Sequence, residues 1–553
     1  MSKIRELLRQ GRHDDLWQMC CGFLDLNLEQ FMAIQKRLLL EQVQLLNRCK
    51  LGRTLLHGAF PETVEEFREK VPLTSYEDYC PELSDRNEDV LPTRPRLWIT
   101  TFRRSGKYPK YIPFSHKFWQ EAALNFNAIA IFSTCKSRGD IPFKNGFKLF
   151  HAAGQPPYLT GMVARSAEED LGFEFLPPLS ESEGMTFEER VEKGFWLALS
   201  EGIDGFFGLG GILVAIGERF RQGSGATNLS QLLSQPKAMI RLTKGLIKSR
   251  LAGRAILPKD LWSIRLISCM GPDCVVYKDK IKELWGRNPL NVYGNSESTV
   301  IATQTWDFDS MVFFPNLNFL EFIPEEEHFM LQFDHTYRPK TLLLDEVKAG
   351  EIYELVITNF HGGIMTRYRI GDMVRITALR NEELNIDIPQ MVFERRADDL
   401  IDLGFIRLTE SVIWQAIENT GISYRGWTAR KEMVNSPTLH LYLELKDNHI
   451  VSQEGVAAAI YEQIKKVDAD RVYNELASLE RLIDYKRPIE VTLLPDGAFA
   501  NYKKQRQAEG ADLVNLKPPH INPTDTMLAE LCTKLKVAPE QEPVTTRRHK
   551  VPA

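Results

Sequence analysis

No stretch of this sequence is apolar for long enough to cross a bilayer as a helix. The longest such run, Gly205–Gly217 (GFFGLGGILVAIG), is bracketed by Asp204 and Glu218; it falls short of the roughly 18 apolar residues a span needs and reads as a buried core segment. The opening residues, MSKIRELLRQGRHDDLW, carry charges throughout and lack the apolar centre of a secretory signal. Paired metal-ligand spacings are missing too: the 8 cysteines are scattered, and Cys20 and Cys21 are adjacent. Scattered thiols exclude a zinc framework and fit a reducing cytoplasm better than a disulfide scaffold. A net charge of −5 over 553 residues gives no bulk electrostatic reason to expect nucleic acid or an anionic membrane as partner. Internal repeats and long low-complexity tracts are also absent.

What the chain does have is material for a large core: 43% hydrophobic and 26% charged residues, ordinary for a globular protein. The first 55 residues place Leu and Met at three- and four-residue intervals, as in LDLNLEQFMAIQKRLLLEQVQLLNRC, and predict helices. From about Leu97, strand-like runs (LWITTF, KLFHAAG, SIRLISCMG) alternate with helical ones, which predicts an α/β layered architecture. Glu351–Phe360 and Met373–Thr377 read as further strands. Past Phe393 the texture shifts to strand (LHLYLELK), helix (about Glu454 to Val467) and strand (IEVTLLP), the pattern of a small α+β unit. The expected organisation is a domain over 1–396, a second over 397–525, and a tail over 526–553 with one short helix followed by a disordered polar end.

Five stretches carry residues suited to chemistry. TTFRRSGKYPKYIP, Thr100–Pro113, gathers cations and a glycine, as a phosphate-wrapping loop or a basic surface turn would. Tyr293-Gly294-Asn295-Ser296-Glu297 follows a strand-like run; its hydroxyl and carboxylate suit a phosphate oxygen and a Mg²⁺ ion, and equally a hydrogen-bonded turn. In Tyr368-Arg369-Ile370-Gly371-Asp372 the glycine lets the chain turn the carboxylate towards a ribose diol, while a plain Gly-Asp hairpin turn fits as well. Phe393–Leu408, rich in charge, lies at the change of texture, where an interdomain hinge or a charged surface loop would sit. Lys517 is stiffened by Pro518 and Pro519, as a positioned or a merely solvated lysine.

Taken in order, these stretches resemble the adenylate-forming enzymes, and most closely the Gretchen Hagen family of acyl acid amido synthetases. FREKVPLTSYEDY and AEGADLVNLKPPHINP read like that family's bacterial branch, and the likeness covers nearly the whole chain. The resemblance implies a large N-terminal domain of sheets flanked by helices and a small mobile C-terminal lid. It also implies a reaction in which a carboxylic acid and ATP give an acyl-adenylate, which an amine or amino acid then attacks. On this likeness Tyr293 and Gly294 border adenine, Ser296 approaches the α-phosphate, Glu297 holds Mg²⁺, and Asp372 and Arg396 bind the nucleotide. Asp398 is the implied hinge and Lys517 the catalytic lysine; cations offset charge that builds in the transition state. Arg103, Arg104, Lys107 and Lys110 are the candidates for the triphosphate, with Ser105 and Gly106 in the same loop. Two departures stand out: Phe102-Arg103-Arg104 replaces the family's Ser-Gly-Thr, and Ser298 stands where a glycine usually follows the glutamate. The expectation is an ATP- and Mg²⁺-dependent ligase. The alternatives are a catalytically weakened nucleotide-binding or scaffold protein, and acyl transfer to a thiol or hydroxyl. The acid pocket is expected around Phe147–Leu159 and Phe206–Ile216.

Overall fold

The computed structural model describes residues 2–101, 110–142, 146–222, 236–270, 277–333, 336–397, 400–403, 407–433, 437–446, 452–467, 488–508 and 520–532. Among them no helix is long and apolar enough to cross a membrane.

Short runs rich in β-branched and aromatic residues pair into one mixed sheet of eleven strands. Its order is Asn318–Pro324, Ile352–Asn359, Tyr368–Ala378, Gln390–Arg396, Met311–Phe313, Thr299–Gln304, Leu290–Asn295, Leu266–Met270, Gly205–Leu209, Lys148–Ala152 and Glu174–Leu176. Leu290–Asn295 is the seam. It runs parallel to Leu266–Met270, as do the strands beyond it, and antiparallel to Thr299–Gln304, where the other half begins. Parallel strands need crossovers and end up covered on both faces. Accordingly Leu149 and Phe207 point into one core with the helix His116–Thr134, while Phe150 and Phe206 point into a second with Phe187–Glu201 and Gly210–Arg221. The apolar run at Gly205–Gly217 is thus a strand followed by a helix, with Phe206, Phe207, Ile212 and Leu213 buried, as its composition suggested.

The helix Leu28–Asn47 starts at an Asn27–Gln30 capping box and buries Phe31, Leu38, Leu39 and Leu46 along one stripe. Two glutamines on that stripe bolt it to the antiparallel half of the sheet. Gln35 donates to the Pro315 and Asn318 carbonyls and accepts from Leu320 N–H; Gln42 bridges Gly362 N–H and the Gly363 carbonyl.

The C-terminal part has its own apolar core, built from Leu408, Ile413, Trp427, Leu441, Ile460 and Val491 among others. Strands Tyr424–Met433 and Pro437–Leu445 pair antiparallel, and Ile489–Leu493 lies parallel to the second. The helix Gln453–Val467 falls between those two parallel strands in sequence, matching the expected strand-helix-strand order. Ile521 adds to the edge at Ala429, and a short helix, Asp525–Cys532, follows as the sequence predicted.

Candidate active site

The seam strand turns back at Asn295–Thr299, and this turn builds the first half of the site. Gly294 sits on a bulge where a Cβ would lie 1.9 Å from the Thr299 carbonyl oxygen, so only glycine fits. Asn295 Oδ1 accepts from both the backbone N–H and the hydroxyl of Ser298, each at 2.8 Å. The serine that departs from the family pattern therefore closes the turn itself. The backbone of the turn is pinned from the antiparallel strands: Asn359 Nδ2 donates to the Glu297 carbonyl and Asn318 Nδ2 to that of Ser298, both at 3.0 Å.

So held, Glu297 points into a nest of donors. Lys110 Nζ lies 2.9 Å from its Oε1, and the Tyr368 hydroxyl donates to the same oxygen at 3.1 Å. Lys110 also reaches the Tyr368 hydroxyl at 2.9 Å and stands over the Tyr76 ring, 4.9 Å from its centroid. The glutamate side chain is 10% exposed and that of Lys110 is 18% exposed. Burial pushes the Glu297 carboxyl upward, but the Lys110 charge and the hydrogen bonds outweigh it and hold the group below the usual carboxylate range. Glu297 is an ionised, buried carboxylate.

Tyr368 is fixed by its neighbours. Arg367, at φ +42°, makes a two-pronged contact with Glu321 at 2.8 and 3.0 Å, and Arg369 does the same with Glu354 at 2.8 Å twice. The two arginines thus clamp opposite sides of the residue whose hydroxyl serves Glu297.

Further along the same strand Gly371, at φ +78°, opens the ladder, and its carbonyl accepts from Ala397 N–H at 2.9 Å. Asp372 follows and organises the second half of the site. Its Oδ2 accepts from the Tyr293 hydroxyl at 2.9 Å and its Oδ1 from Arg396 at 2.5 Å. Burial, reinforced by the Asp372 charge, pushes Tyr293 well above the ordinary phenol range, so its hydroxyl stays a donor. The Tyr293 ring stacks on Phe393, centroids 6.1 Å apart at 30°. Tyr368 and Asp372 are four residues apart, at most about 13 Å along an extended strand. That is the order of reach from a ribose to the outer phosphates of a nucleoside triphosphate.

Of the residues expected from sequence, the structure brings Lys110 to Glu297, and Tyr293 and Arg396 to Asp372. Gly294 and the half-buried Ser296 lie on the turn between them. Arg103, Arg104, Ser105, Gly106, Lys107, Asp398 and Lys517 lie outside the described residues. The first five belong to the connection between the paired strands Pro95–Thr100 and Tyr111–Ser115, a hairpin that closes at Thr101 N–H on the Lys110 carbonyl. Three residues after Lys517 the chain is anchored: His520 stacks on Trp427 with centroids 4.5 Å apart, and its Nδ1 lies 2.6 Å from Glu410. Sequence reading missed the Tyr368 hydroxyl, Tyr76, Phe393 and the asparagines 318 and 359. Tyr368, Phe393 and Tyr76 stood within stretches already quoted, though none was given a role there; the two asparagines lie outside the motifs and carried no local signal. The two stretches expected to form an acid pocket begin on neighbouring strands, with His151 beside Phe207 in register.

The donor set suits Mg²⁺. Among the described residues no group of three or more His, Cys, Asp or Glu could hold a metal by itself. Magnesium usually takes only one or two protein carboxylates, with substrate phosphates and water supplying the rest, and Glu297 is one such ionised carboxylate.

Residues 311–396 match the GH3 family central domain. The chain is 24% identical over 220 residues to an indole-3-acetic acid-amido synthetase, GH3.3, from Arabidopsis thaliana, covering 38% of this chain and 34% of that protein. It is 32% identical over 148 residues to a jasmonoyl–L-amino acid synthetase, JAR4, from Nicotiana attenuata, covering 26% of this chain and 24% of that one. The matched stretch thus spans about a third or less of the length of these curated relatives. Over the whole fold, the solved structure of the acyl acid amido synthetase AtGH3.15 in complex with 2,4-DB superposes with a TM-score of 0.50 at 16% identity, covering 93% of this chain and 95% of that one. Residues 311–396 are thus similar to the GH3 family central domain, and the chain shares the fold of the solved acyl acid amido synthetase and 2-hydroxyisobutyryl-CoA ligase structures.

Proposed function

We propose that this relative of the GH3 acyl acid amido synthetases is an ATP-dependent ligase that joins a carboxylic acid to an amine, most readily an amino acid. The observation that carries the reading is the pairing of two prepared carboxylates at the seam of the sheet. Glu297 is ionised against Lys110, and Asp372 is held by Tyr293 and Arg396.

In this reading Asp372 accepts from the ribose hydroxyls and Arg396 stays beside it, while the Tyr293–Phe393 stack walls the adenine side. Glu297 would hold Mg²⁺, which would supply charge neutralisation at the triphosphate. Lys110, no longer needed by Glu297 alone, turns its charge to the phosphates with Arg103, Arg104 and Lys107; Ser105 and Gly106 shape the same loop. The carboxylate of the acid attacks the α-phosphorus, the bond to the bridging oxygen breaks, and pyrophosphate leaves. The incoming amine then attacks the acyl carbon, loses a proton and displaces AMP. Lys517 carries positive charge to the reacting carboxylate and α-phosphate; Asp398 is the pivot about which the 397–525 unit moves.

Isotope exchange between pyrophosphate and ATP across a panel of carboxylic acids tests this. Acid-dependent exchange is expected, and amide formation on adding amino acids. Absence of both exchange and ATP binding would favour a scaffold on the same fold. Product formation only with thiols or alcohols would move the acceptor out of the amine class.

A further inference from the structure

Away from the site, the helix Pro236–Leu251 presents an unusual outer face. The helix as a whole carries five cations (Lys237, Arg241, Lys244, Lys248, Arg250) and no acidic residue, in a chain whose net charge is −5. One stripe, formed by Ala238, Leu242, Gly245 and Ser249, packs inward against the second core, and Arg241 is tied to the Ala198 and Leu199 carbonyls. The opposite stripe is apolar yet uncovered: Ile240 is 56%, Ile247 55% and Leu251 85% exposed, with Met239 and Leu246 exposed beside them. Five of the ten large apolar side chains reported as exposed among the described residues thus sit on this one helix.

At 3.6 residues per turn the exposed apolar positions 240, 247 and 251 form one row, and Lys237, Lys244 and Lys248, each three residues earlier, form a second beside it. We infer that this face is a docking surface for an anionic lipid bilayer, the apolar row entering the acyl boundary and the lysine row meeting the headgroups. Charge complementarity makes the choice. A helix lying in a membrane interface combines a cationic row with an aliphatic one, because lysine stems can lie along apolar surface while their ammonium groups stay wet. Protein interfaces instead are enriched in aromatic residues, methionine and arginine and depleted in lysine, whereas the two rows here consist of Ile, Leu and Lys and include no aromatic residue. The small overall charge of the chain hides this patch, which is why composition alone gave no sign of it.

Co-sedimentation of the full chain with vesicles decides the matter. Binding is expected to phosphatidylcholine vesicles containing about 30 mol % phosphatidylserine and to be at least roughly tenfold weaker to phosphatidylcholine alone or at high salt. Replacing Lys237, Lys244 and Lys248 by glutamine should lower the partition coefficient on the order of 100-fold, at about fivefold per lysine. Ile240→Ser/Ile247→Ser should weaken binding to both vesicle types while leaving adenylation unchanged, which also shows that the variant folds. No sedimentation with the phosphatidylserine vesicles, or equal binding by the variants, overturns the proposal. So does a concentration-dependent dimer in sedimentation velocity that the Ile240→Ser/Ile247→Ser change abolishes, since the face would then belong to a second copy.

Discussion

Replacing Lys110 by methionine tests the coupling on which the site depends, because the change keeps most of the side-chain volume and removes the charge. At 2.9 Å and an effective dielectric of about 20, the gross attraction between Lys110 and Glu297 is about 6 kcal/mol. Dehydration of both ions offsets much of it. Removing one member of a buried pair costs about 3–5 kcal/mol; the 18% exposure of Lys110 and the remaining Tyr368 hydrogen bond bring the expected loss here to about 2–3 kcal/mol.

The pH dependence carries the sharper test. In the wild type the Glu297 carboxyl is held low, so its stabilising contribution is complete above its unfolded value of about 4.3 and is lost as pH falls through the lower folded value. Without Lys110, burial is left as the main influence and raises the group above its unfolded value. The variant then loses stability as pH rises through that raised value, the opposite slope. Scanning calorimetry should show a gap of several °C between wild type and Lys110→Met at pH 8 that narrows towards pH 5. Adding Glu297→Gln to the variant should restore most of the loss. A gap of the same size at both pH values, or a double variant no more stable than the single one, would refute the reasoning.

Other expectations follow from the same geometry. Asp372→Ala removes one partner of Arg396 and the acceptor for Tyr293, so ATP affinity in calorimetry should fall by at least about tenfold, the value of one charge-assisted bond; unchanged affinity would remove the ribose assignment. Lys517→Ala should slow pyrophosphate exchange with ATP affinity largely kept, and a wild-type exchange rate would take Lys517 out of the mechanism. Gly294→Ala places a Cβ 1.9 Å from a carbonyl oxygen, so the hairpin must distort and thermal stability should fall by more than about 2 kcal/mol; a wild-type melting profile would contradict the tight turn. His151 is buried with no hydrogen bond to either ring nitrogen among the described residues, and burial pulls it down to about 3. Between its unfolded value of about 6.5 and pH 5 it should therefore withdraw about 2 kcal/mol of stability, a loss that His151→Phe should abolish in urea unfolding.

The elements read most easily from sequence were those whose own residues decide their form. Leu28–Asn47 has its cap and its apolar stripe within one segment, and Gly205–Arg221 is apolar enough that burial was its only outcome. The order of the eleven strands was not legible in that way. Nothing within PLNVYGN says that this strand is parallel on one side and antiparallel on the other, since that depends on partners from residues 266–270 and 299–304.

The site divides along the same line. Glu297 and Asp372 were singled out because each lies in a short motif with a glycine close by, and those glycines serve the bulge at Gly294 and the left-handed backbone at Gly371. What prepares the two carboxylates is long-range: Lys110 is 187 positions from Glu297, and Tyr293 is 79 from Asp372. A motif can announce a carboxylate, but whether it is charged when buried depends on which cation the fold brings to it. Here the cation is Lys110, the first described residue after the basic loop. Lys110 and the proposed metal carboxylate are therefore already paired, and a ligand bearing its own cation and anions must exchange that pair for two new ones.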